Sequence, residues 1–147
     1  MPEASDDAAR RSPDHWIWLA LFLSGPLVLV ALRFLVEPDA RGHGTHEQLG
    51  LPPCSSMERW NVPCPGCGVT TSAALLVRGR PLEALYDQPL GFLLALAAPI
   101  LAVAALRAHL RGRDLALAIG AAVTPGRALA FGALVLAAWL WKIHITA

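Results

Sequence analysis

Three long apolar runs divide this chain, and one polar stretch between them is far longer than the others. The first run, Trp16 to Val36, carries a single charge, Arg33, near its end. About 20 apolar residues span a bilayer core as a helix. Ser12 and Pro13 suit a helix start, and Glu37-Pro38 suits a stop. Ser24-Gly25-Pro26 predicts a kink or loosened hydrogen bonding inside this run. The second run, Leu90 to Leu106, is uncharged and is closed by Arg107, Arg111 and Arg113. Leu115 to Val123 is apolar but too short to span. Thr124 and Pro125 then restart a helix that runs to about Ile143, with Trp139, Trp141 and Lys142 as an interfacial belt. Ala128 and Gly132, four apart, would permit close helix contact.

The pattern predicts an all-α integral membrane protein with three transmembrane helices, at about 16–36, 89–108 and 125–143, plus short interfacial helices. A polar tail, 1–15, precedes a single membrane domain, 16–147, whose long loop covers 37–88. The first run reads as a retained span rather than a cleaved leader, because it is long for one and acids precede it. Within the loop, Pro38 to Pro53 reads as irregular. Val69 to Arg78 reads as a short helix ended by Gly79, and Pro81 to Tyr86 as another turn of helix.

Composition supports this reading. The chain has 147 residues, of which 55% are hydrophobic and 16% charged. A net charge of +1 gives no footprint for nucleic acid. The expected surroundings are a lipid bilayer and, for an accessory subunit, another membrane protein. Arginines gather at the ends of the apolar runs, as at membrane-helix flanks. The dense cluster Arg107–Arg113, on a short loop, favours a cell-membrane orientation with the N-terminus cytoplasmic. Arg10, Arg11 and Arg127 would share that side, against Arg33, Arg41, Arg59, Arg78, Arg80 and Lys142 on the other, so the raw count is even and the density of the cluster decides. The loop 37–88 would then face outward, where disulfides are permitted.

The chemistry gathers in that loop. All three cysteines lie there: Cys54, Cys64 and Cys67. An odd number excludes a two-disulfide scaffold within the chain. Cys64-Pro65-Gly66-Cys67-Gly68 precedes a helix start, where free N–H groups favour a thiolate. Pro65 stiffens the turn, and Gly66 and Gly68 supply backbone freedom. No Ser/His/Asp constellation, paired catalytic carboxylates or phosphate cradle is present, so no enzymatic reaction is assigned.

Cys54, then Val62-Pro63-Cys64-Pro65-Gly66-Cys67-Gly68-Val69-Thr70, then Leu75-Leu76-x-Arg78-Gly79, Ala84 and Pro89-Leu90, resembles the DUF2752 family. The resemblance covers about 40 residues, Cys54 to Leu93. It implies a small bacterial membrane protein with a CPxCG cysteine site, supported by Pro65, Gly66, Gly68, Thr70 and Gly79, and it brings no known activity. Two departures stand out. Thr71 occupies a position where the family usually has Arg, and Gln88 one where it usually has Asn.

Three accounts of the site follow. In the first, Cys54, Cys64 and Cys67 ligate a metal such as zinc, with His43 or His46 as the candidate fourth ligand. Copper or an iron–sulfur cluster also suits thiolates. In the second, Cys64 and Cys67 carry out thiol–disulfide exchange with Cys54 as partner. In the third, a structural disulfide staples the loop of a non-catalytic accessory subunit, and Arg78, Arg80, Glu83 and Asp87 are ordinary flank charges. Of the two chemical accounts, metal binding is preferred.

Overall fold

The computed structural model describes residues 12–146. The polar tail expected over 1–15, with Arg10 and Arg11, lies through residue 11 outside the described residues. Seven helices follow in order: α1 (Pro13–Leu35), α2 (Ser55–Trp60), α3 (Val69–Leu76), α4 (Pro81–Asp87), α5 (Pro89–Leu110), α6 (Leu115–Ala122) and α7 (Pro125–Thr146). A 3-10 turn, Thr45–Leu49, lies between α1 and α2. No strand occurs among the described residues. α1, α5 and α7 are each long and apolar enough to cross a membrane.

Each span starts with proline in its first turn, where the missing N–H is unneeded. The spans run longer than hydropathy alone predicts, because polar residues such as Asp14 and His109 continue the helix beyond the apolar stretch. The helix α1 continues through Pro26. There Ser24 donates its hydroxyl to the Leu21 carbonyl at 2.8 Å, and Gly25 lies against Ala98 of α5. Gly132 of the small-residue pair in α7 meets no other element among the described residues, since open space lies beside it.

Two ends can be told apart. At one, the start of α1 meets the end of α5 and the start of α6. His15 is fully buried there. Its Nδ1 accepts from the Leu115 N–H at 3.0 Å, and its Nε2 lies 3.0 Å from His109 Nδ1. Asp114 caps α6 by accepting from the Ala116 and Leu117 N–H groups, and it also binds Ser12. The Ser12 N–H, which outweighs the effect of burial, holds its carboxyl below the usual range. Leu19, Ala105 and Leu115 form the small core at this end.

At the other end the loop folds back on the spans. Leu32, Val36, Ala73, Ala74 and Ala95 form its core, so α3 packs between α1 and α5. Gly91 makes this packing possible, because a Cβ there would stand 2.8 Å from Val69 Cα. Arg78 ties α3 to the end of α1. Its Nη1 donates to the Leu32 carbonyl at 2.9 Å and its Nη2 to Val36. The expectation that Arg78 is an ordinary flank charge is therefore corrected: it satisfies carbonyls that a helix end leaves without partners.

Candidate metal centre

The cysteines come from two places in the loop. Cys54 immediately precedes α2. Cys64 and Cys67 bracket a tight turn in which the Cys67 N–H donates to the Cys64 carbonyl at 2.9 Å. The turn ends at Gly68, which caps α3 with φ at 87°, in the left-handed region. Gly66 has no such requirement and faces open space. Thr70 sits half-buried in the first turn of α3, and Gly79 follows that helix with φ at 76°. Pro65 is exposed on the outer side of the turn.

The three sulfurs lie within 4.8 Å of one another. Thiolates arranged tetrahedrally about 2.3 Å from one zinc stand a little under 4 Å apart, so a modest contraction would serve. All three cysteines are free thiols; Cys67 is buried, and Cys54 and Cys64 are half-buried. His43 and His46 do not join the group. His43 Nδ1 lies 2.9 Å from the Arg41 carbonyl, and His46 Nε2 lies 3.1 Å from the Pro52 carbonyl.

The thiols differ in acidity. Burial raises Cys54, but N–H groups of Met57, Ser56 and Cys64, with the Cys64 thiol, outweigh it and leave it below its ordinary value. Burial raises Cys64, and the Cys54 sulfur adds to this against the N–H groups of Gly66 and Cys67. Cys67 is pushed up to about 12, first by burial and then by its two sulfur neighbours, with Lys142 acting the other way. The expected thiolate preference of the Cys64–Cys67 turn is thus corrected. The most acidic thiol is Cys54, where several N–H groups converge without deep burial.

A second layer of polar groups holds the turn. Gln88, fully buried, directs Nε2 at the carbonyls of Pro65 and Cys67, at 3.4 and 3.3 Å. Trp139 Nε1 donates to the Pro63 carbonyl at 2.7 Å. Ser72 donates to the Ala84 and Gln88 carbonyls, joining α3 to the start of α5. Thr71 is buried and bonds Thr45 at 2.8 Å, which anchors the 3-10 turn to α3.

Lys142 and Asp87 correct two expectations. Lys142 is no interfacial belt residue, and Asp87 no flank charge. Both are buried, and Lys142 Nζ lies 2.8 Å from Asp87 Oδ1. Burial raises the Asp87 carboxyl against the pull of Lys142. The pair borders an open cleft of about 780 Å³, whose lining includes Thr71, Tyr86 and Arg80 but none of the cysteines. The partners of Lys142 lie too far away in sequence for spacing to have signalled this. The one sequence signal was that it is the only lysine.

No curated protein and no solved structure matches the chain. The model of a family described as a protein of unknown function, DUF2752, matches residues 54–102. That match begins at Cys54 and takes in all three cysteines, the Gln88 clamp and most of α5. Residues 54–102 of this chain, the later part of the loop and most of the second span, are thus similar to DUF2752.

Proposed function

We propose that this membrane protein holds one soft transition-metal ion, zinc in the first instance, on Cys54, Cys64 and Cys67. The convergence of three sulfurs within 4.8 Å carries the reading. The N–H groups directed at Cys54 and Cys64 support it, because they stabilise thiolate charge without supplying a competing cation. Zinc with three protein ligands keeps a further position, open to a water or to an outside ligand. The sulfur-rich set prefers zinc, copper(I) or iron–sulfur chemistry over magnesium or calcium. The test is metal analysis of detergent-purified protein beside a thiol count. About one zinc per chain is expected, with thiols that react fully only after chelation. Freely reactive thiols without metal would sink the reading.

A second reading, thiol–disulfide exchange, has one observation in its favour. Cys54 is the more acidic thiol and Cys64 bonds its sulfur, which is the arrangement of an attacking thiolate beside a partner. A metal-free protein with one disulfide opened by mild reductant would select it. In either reading the cysteine loop faces outward and the N-terminus lies in the cytoplasm, on the strength of the Arg107–Arg113 cluster at the opposite end.

A further inference from the structure

Lys142 is the single lysine of the chain and is 2% exposed. A buried ammonium on a membrane-spanning helix is costly, and is kept where it has partners and a task. Its partners are clear. Nζ donates to the Gly42 carbonyl at 2.7 Å, to the Asp87 carbonyl at 3.3 Å and to Asp87 Oδ1 at 2.8 Å. Its position points to the task. The ammonium packs on Gly68, the residue after Cys67. A Cβ at Gly68 would stand 2.9 Å from the Gly42 carbonyl oxygen, 2.9 Å from Nζ and 3.0 Å from Cε, and these are its three nearest atoms. The carboxylate of Asp87 is not among them, so the ion pair presents its positive end to the cysteine turn.

Charge arithmetic gives that end a role. Three thiolates around a divalent cation leave one negative charge. In a partly buried site such a charge is stabilised by a nearby fixed cation. We propose that Lys142 is the counter-charge and positioning residue of the cysteine centre, its ammonium held by Gly42 and Asp87 against Gly68. The third span thereby contributes to a centre whose ligands all lie in the family segment 54–102, and Trp139 of the same span holds the residue before Cys64. This inference rests on the metal reading above.

The test uses full-length protein in detergent, titrated with cobalt(II) and followed by sulfur-to-cobalt charge-transfer absorption, with thermal unfolding alongside. The informative variant is Lys142→Met combined with Asp87→Asn, which removes both charges and leaves no lone carboxylate buried. It is expected to fold, with an unfolding temperature lowered by the Gly42 and Asp87 carbonyls left unpaired, but to bind cobalt about 10–100-fold more weakly, the usual effect of losing an outer-shell partner. A folded double variant with wild-type affinity overturns the inference. If the double variant does not fold, Lys142→Gln combined with Asp87→Asn carries the same test, because the glutamine amide can still donate to Gly42: weaker binding is expected, and unchanged binding overturns. Absence of cobalt binding by the wild-type chain overturns the metal reading, and this inference with it.

Discussion

Cys54 and Cys67 have neighbouring sulfurs but opposite surroundings, which push their acidities in opposite directions. Cys54 meets several N–H groups before α2, whereas Cys67 is buried behind the turn. A metal ion bound there would have to displace the proton of Cys67, so we expect its binding to release protons and to strengthen as pH rises. Arg78 shows the same dependence on surroundings. Its side chain is 12% exposed and its guanidinium meets the Leu32, Val36 and Ala74 carbonyls. Its ion pair with Glu37 adds little, because Glu37 is 82% exposed. Arg78→Met keeps the apolar stem and removes the donors. We expect a loss of about 2–3 kcal/mol in denaturant unfolding in detergent, from carbonyls left unpaired. Arg78→Lys should fall between, and an unchanged midpoint would contradict the capping role. Neither role was legible in the sequence. The cysteines announce themselves by spacing, but Arg78 and Lys142 act on partners about 40 and 100 positions away.

The elements were more legible than the residues. Apolar length alone located α1, α5 and α7, because a bilayer demands it. Thr124-Pro125 marked the start of α7, and Pro81 that of α4. The short elements before the cysteine turn were not visible. The 3-10 turn Thr45–Leu49 sits between two glycines in left-handed conformation, and α2 ends on Asn61 with φ at 52°. Such brief helices bury no periodic apolar face, so no hydropathy pattern marks them. Their ends are set instead by backbone turns and by tertiary bonds such as Thr45 to Thr71. α3 also stops sooner than its apolar run, at Leu76, because the chain turns so that the Arg80 N–H can donate to the Leu75 carbonyl.

At the scale of the whole molecule, the two ends carry different chemistry. The histidine and Asp114 contacts lie at one, and the cysteines, Gln88 and Lys142 at the other. The proposed orientation makes the cysteine end accessible from outside the cell. An impermeant maleimide applied to intact cells after chelation should label the thiols, whereas labelling only after lysis would reverse the orientation. The candidate site was legible as three sulfurs in one loop. No fourth protein ligand joins them among the described residues, since the expected His43 and His46 rings lie against backbone carbonyls. The central claim is that one ion sits on Cys54, Cys64 and Cys67. X-ray absorption at the zinc edge of the purified, zinc-containing protein tests it most directly. The account predicts a shell of about three sulfurs at about 2.3 Å, lost when Cys64 is replaced by serine. A shell of nitrogen and oxygen alone would contradict it.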